Sequence, residues 1–132
     1  YKEMKDVEVK FPLIEDITME VAQKYGMMMP GESNTKAVRA VFVIDPKGII
    51  RTIIYYPLSL GRNFDEFIRM IKGFQVADSQ KVAMPANWPN NELIKDRVIV
   101  PPPTDVQTAE ARVQSGEYEC YDWWLCHKPV AE

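Results

Sequence analysis

The stretch VRAVFVI, residues 38–44, runs through Asp45-Pro46-Lys47-Gly48 into IIRTIIYY, residues 49–56, and this stretch decides the fold class. β-Branched and aromatic residues crowd both segments, which suits a pleated strand and penalises a helix through lost side-chain freedom. Between them, Asp and Pro fit the opening positions of a type I turn, and Gly48 supplies the positive φ that rejoins a twisted ladder. The spacing predicts a β-hairpin. Apolar residues fall on both faces of both strands, so each face needs cover, from helices on one side and from another subunit on the other. Pro57 closes the second strand and makes it a candidate sheet edge.

Working outward, Asn63 and Glu66 have the spacing of a capping box that opens the helix FDEFIRMIKGF, with an apolar stripe at positions 64, 67, 68, 71 and 74. That stripe is expected to pack on the hairpin. On the other side, FPLIED (11–16) reads as a short strand, and Thr18 as the cap of a helix over MEVAQKY that closes at Gly26. Residues 27–36, MMMPGESNTK, read as a loop whose methionines pack rather than bind metal. From Asp78 to Pro103 the chain carries Pro85, Pro89 and the run Pro101 to Pro103, with one short β-like segment, RVIV (97–100). It reads as an extended arm rather than a second core. Thr104 and Gln107 are expected to cap a further helix that ends at Ser115-Gly116. Two parts follow, residues 1–76 and 77–132.

The 132 residues, 46% hydrophobic and 27% charged, have a soluble globular balance. A net charge of -3 gives no general attraction for polyanions, and no basic run interleaved with aromatics suggests a nucleic-acid groove. No apolar stretch approaches the roughly 20 residues needed to cross a bilayer, and the first residues have no apolar signal core, so a cytoplasmic location is expected. The chain lacks an initiating Met, and its opening reads as the tail of a helix already under way, the mark of a truncated or split polypeptide.

Cys120 and Cys126 are too few for a secreted disulfide scaffold and lie together near the C-terminus. One reading is two packed thiols beside aromatic residues. The other is a resolving thiol on a mobile tail, with Trp123 and Trp124 docking that tail on a partner. With His127 they supply three potential metal ligands but no evident fourth, so no metal is expected. Arg39 interrupts an apolar strand and Arg62 precedes a helix. Each is either a half-buried structural ion-pair partner or a guanidinium fork for an oxygen substrate, and spacing does not choose.

Taken in order, TKAVRAVFVIDPKGIIR, YYPLSLGRNFDEFIRMI, VAMPANWPNNE, VIVPPPT and CYDWWLC resemble the C-terminal half of the peroxiredoxins, in the group that holds the mammalian one-cysteine enzyme and the archaeal thioredoxin-dependent peroxidases. The resemblance implies an α/β fold, the C-terminal half of a thioredoxin-like domain with an extended C-terminal arm. It implies thiol-dependent reduction of hydrogen peroxide and organic hydroperoxides, without a cofactor. The substrate arginines fall on Arg39 and Arg62. The tail cysteine that resolves a neighbouring subunit's oxidised thiol falls on Cys126, with Cys120 as an auxiliary thiol. Implied partners are a peroxide, a thiol reductant such as thioredoxin, and a second copy of the chain, with decamers as a further option. The family's Pro-x-x-x-Thr-x-x-Cys motif does not occur in this sequence, so this polypeptide by itself is expected to be inactive. The rival reading is a non-catalytic module of the same fold that dimerises through the hairpin edge.

Overall fold

In the computed structural model, which describes residues 8–31 and 37–131, the elements run in the order α1 (Glu20–Lys24), β1 (Arg39–Ile44), β2 (Ile50–Tyr56), α2 (Phe64–Gln80), β3 (Val98–Ile99), α3 (Val106–Ser115), β4 (Glu119–Asp122) and β5 (Leu125–Lys128). They divide into two compact units, residues 1–62 and 63–132. Expectations for residues 1–7, and for positions 32–36 of the 27–36 loop, lie outside the described residues.

The first unit is built on the expected hairpin. β1 and β2 pair antiparallel from Arg39 opposite Tyr56 to Ile44 opposite Ile50, with one irregularity at Val43/Ile44 where the turn begins. Asp45 organises that turn. Its Oδ1 accepts from the amides of Lys47 and Ile49 at 2.9 and 3.0 Å, while Gly48, at φ 81°, donates to the Asp45 carbonyl. Phe42 on β1 meets Tyr25 edge-on at 4.9 Å between centroids, and Tyr55 at 6.1 Å. The Tyr55 hydroxyl donates to the Tyr25 carbonyl, so the aromatic group ties the end of α1 to the hairpin.

Two expectations in this unit are corrected. Residues 11–16 form no strand: β1 and β2 pair only with each other among the described residues, and Phe11, Leu13 and Ile14 are exposed, so the apolar run alone does not make a ladder. Thr18 does not cap α1. Met19 occupies the cap position with no side-chain bond, and Asp16 reaches over it to accept from the amides of Val21 and Ala22 at 3.0 and 2.8 Å. A carboxylate satisfies two orphan donors at once and suits the positive end of the helix dipole, which a hydroxyl does less well. Gly26 ends the segment at φ 64°, as expected.

In the second unit, α2 starts as its sequence suggests, with Asn63 Oδ1 accepting from the Glu66 amide. Glu66 does not return to the cap. Both its oxygens bind Arg69, at 2.6 and 2.8 Å, and that bond holds its carboxyl below the ordinary range. The helix runs past the expected end at Phe74 to Gln80. Gly73 lets Met84 pack close, since a Cβ there would stand 3.3 Å from Met84 Cγ.

The proline-rich segment is more ordered than an extended arm. Ala83 bridges Ile99, and β3, β5 and β4 form a three-stranded sheet in that order. Phe67, Val82, Ile94, Val98, Val100 and Cys126 are buried, so the segment carries a small core of its own. Side chains replace the missing ladders: Trp88 Nε1 donates to the Asp96 carbonyl, and Asn91 Oδ1 accepts from the amides of Leu93 and Ile94. Gln80 holds Ala131 through both its amide groups, fixing the chain end to α2. The cap of α3 is Asp105, one residue beyond the expected Thr104. Its carboxylate accepts from the Thr108 amide and hydroxyl at 2.7 and 2.8 Å, and Gly116 closes the helix at φ 68°. No helix among the described residues is long and apolar enough to cross a membrane.

Candidate functional site

Arg39 is the first residue of β1, where strand pairing ends opposite Tyr56. Its Nη1 donates to the Leu60 carbonyl at 2.9 Å. The guanidinium therefore lies against the loop that follows β2, and Arg62, two residues beyond Leu60, is exposed on that loop. Both expected arginines thus belong to one short stretch of surface. Arg39 has a backbone carbonyl as its partner, where the structural reading expected a carboxylate. A carbonyl fixes the fork without neutralising its charge, which suits a donor aimed at a substrate oxygen.

Cys120 on β4 faces Cys126 on β5, and the two sulfurs are bonded to each other. Trp123 and Trp124 make the two-residue turn between the strands, and both are about half exposed, at 47% and 55%. The two sulfurs differ in environment. Cys126 has 0% exposure, with the carbonyl of Asp122 3.5 Å from its Sγ. Cys120 is only half buried and lines a cleft of about 280 Å³ together with Arg97, Glu119 and His127.

The side chains around that cleft are ones that the sequence reading missed or undervalued. His127 is 6% exposed, and its Nδ1 accepts from Arg97 Nε at 2.7 Å. Arg97 spends its other face on Glu119, with Nη2 to Oε1 at 3.0 Å. Burial pushes the His127 imidazole below its ordinary range and Arg97 adds to this, against a smaller opposing pull from Glu119. The ring is neutral near pH 7, with its proton on Nε2. Sequence gave no hint of this trio because β3 joins β5 through a pairing that spans the whole of α3. Among the described residues no group of three or more His, Cys, Asp or Glu is arranged to hold a metal.

Comparison with known proteins supplies the context. Residues 73–116 match the C-terminal domain of 1-Cys peroxiredoxin, and residues 1–53 match the AhpC/TSA family. The chain is 52% identical over 129 residues to a peroxiredoxin of Thermotoga maritima, and 56% identical over 130 residues to one of Methanothermobacter marburgensis. Each match covers 98% of this chain and 60% of the relative, so the chain spans about three fifths of the curated relatives it matches. Among solved structures, the yeast mitochondrial 1-Cys peroxiredoxin superposes with a TM-score of 0.74 at 36% identity, covering 96% of this chain and 60% of the other. Peroxiredoxin 6 of Arenicola marina gives a TM-score of 0.75 at 31% identity, covering 96% and 59%.

Proposed function

The chain belongs to the peroxiredoxin family, in its 1-Cys group with a thioredoxin-like fold, and from that premise we propose that the protein carrying it reduces hydrogen peroxide and organic hydroperoxides at the expense of a thiol. The observation that carries the reading is the bonded Cys120–Cys126 pair near the end of a chain about half identical to peroxiredoxins. A cysteine pair held cross-strand in a short hairpin is suited to being made and broken, and a reducing cytoplasm suits a pair that turns over.

In this mechanism a peroxidatic thiolate, supplied by a segment upstream of these residues, attacks the distal peroxide oxygen. It becomes a sulfenic acid, while the other oxygen leaves as water or an alcohol after taking a proton. Arg39 and Arg62 orient the peroxide and stabilise the attacking thiolate, since a peroxide offers donors and acceptors but no charge to grip. With the tail disulfide reduced and the hairpin opened, the thiolate of Cys126, buried in the bonded state, reaches the sulfenic sulfur of a neighbouring subunit and displaces hydroxide. The hydroxide leaves as water, and an intersubunit disulfide results. Cys120 attacks Cys126 in turn, freeing the peroxidatic thiol and producing the tail disulfide. A thiol reductant such as thioredoxin closes the cycle.

Homodimers follow from the same logic. The two-stranded sheet leaves the outer edge of β2 without a ladder partner among the described residues, and an antiparallel copy of IIRTIIYY completes it. The test is hydroperoxide consumption by the gene-encoded protein with a thiol reductant. Arg39→Ala should lower the rate by at least about tenfold, equivalent to roughly 1.4 kcal/mol of transition-state stabilisation, with little change in melting temperature. Equal loss of rate and stability would make Arg39 a structural residue.

A further inference from the structure

We propose that Cys120, not Cys126, is the sulfur at which an external thiol reductant enters, so that the hairpin end of the second unit is an exchange site for a thiol or dithiol. The inference deepens the peroxidase reading and rests on it only for what oxidises the pair. Thiol–disulfide exchange requires a thiolate to approach one sulfur from behind, along the line of the bond, so access to that sulfur is the first condition. Cys126 does not meet it, being at 0% exposure. Cys120 meets it, because its half-buried side chain forms part of the wall of the 280 Å³ cleft.

The charges in the cleft favour the same sulfur. Lys95 and Arg97 contribute two positive charges, Glu119 one negative, and His127 is neutral, so the wall beside Cys120 carries a net positive charge. A thiolate is drawn to such a wall and a neutral thiol is not, which raises the local concentration of the reactive form. Arg97 is held in place by both Glu119 and His127, and its guanidinium faces the cleft at no further ordering cost.

The step balances. The incoming thiolate bonds to Cys120 Sγ and the Cys120–Cys126 bond breaks. Its electron pair stays on Cys126 Sγ, which takes a proton from water as the hairpin opens. Where the reductant is a dithiol, its second thiolate attacks the first reductant sulfur, expels Cys120 as a thiolate and leaves as an internal disulfide.

The experiment uses the full chain, oxidised, exposed briefly to glutathione as a monothiol probe and quenched with acid. Liberated thiols are then alkylated in denaturant. Chymotryptic cleavage between Tyr121 and Leu125 separates the two cysteines for mass spectrometry. Glutathione on Cys120 and alkyl on Cys126, in at least roughly tenfold excess over the reverse pattern, is the expected result. Adducts divided evenly or favouring Cys126 would overturn the assignment, and so would two cysteines that alkylate fully without any reductant. The two readings fail separately. A Cys120 adduct on a protein without peroxidase activity sinks the proposed function alone, whereas an active peroxidase with a Cys126 adduct sinks only the entry point.

Discussion

The two sheets of this chain invert the expectation that a strong strand signal marks a well-buried strand. β1 and β2 are the longer strands and the richest in β-branched residues, yet Ile44, Ile50, Ile53 and Tyr55 are exposed. β3, β4 and β5 are two to four residues long, yet they contain Val98 and Cys126, both at 0% exposure. Propensity sets whether a ladder forms, and burial depends on what lies over it. The tail sheet has cover within its own unit, where Val82, Ile94 and Phe67 are also buried. The hairpin presents apolar side chains to whatever completes it.

The sharpest way to break this comparison is to place a charge in each sheet. Val98→Asp buries a carboxylate with no partner and should cost about 4 kcal/mol or more, enough to unfold the second unit. Ile53→Asp, at a position 43% exposed, should cost less than about 1 kcal/mol in the same chain. Urea midpoints followed by far-UV circular dichroism would measure both, since Trp88, Trp123 and Trp124 all lie in the second unit and would not report on Ile53, and equal costs would end the distinction.

A smaller effect should follow from opening the tail disulfide. In the chain-entropy account a closed loop this short contributes about 2 kcal/mol, so Cys120→Ser or Cys126→Ser should lower the denaturation midpoint accordingly. A shift below about 0.5 kcal/mol would mean that the hairpin is held by its ladder and by Val98 instead. In the first unit, Asp16→Ala removes the acceptor for the Val21 and Ala22 amides and should cost about 1 kcal/mol, measured the same way.

The least of the expected effects is a pH dependence. The folded protein holds the His127 imidazole below its ordinary range, so the unfolded chain takes up this proton first as pH falls. Stability is therefore independent of this group well above its ordinary value. It is lost as pH drops below about 6.5, until the folded imidazole is itself protonated. The same urea series from pH 8 to pH 5 should show a decline that His127→Gln flattens, since Gln can still accept from Arg97 without titrating.

Legibility in the sequence followed the range of each interaction. The hairpin, its Asp45–Gly48 turn, the Asn63 cap and the closures at Gly26 and Gly116 rest on contacts within a few residues, and all of them were readable. Caps that compete locally were harder: Asp16 wins over Thr18 because the chain turns at Met19, and Asp105 over Thr104 because the helix begins one residue later. The core of the second unit was not readable, because the buried Val98 and Cys126 belong to a sheet whose strands come from both sides of α3. The same pairing hid Arg97 and Glu119. Resemblance marked Arg39, Arg62, Cys120 and Cys126, and it carried no word of the charged cleft at Cys120.

The central claim is that this chain supplies the resolving tail of a peroxide-reducing enzyme, and the most direct test is non-reducing electrophoresis of the gene-encoded protein after a brief pulse of hydrogen peroxide. The account predicts a covalent dimer that is absent in Cys126→Ser, and that persists and accumulates in Cys120→Ser, where the intersubunit bond can no longer pass to the tail. A covalent dimer that persists in Cys126→Ser would contradict it.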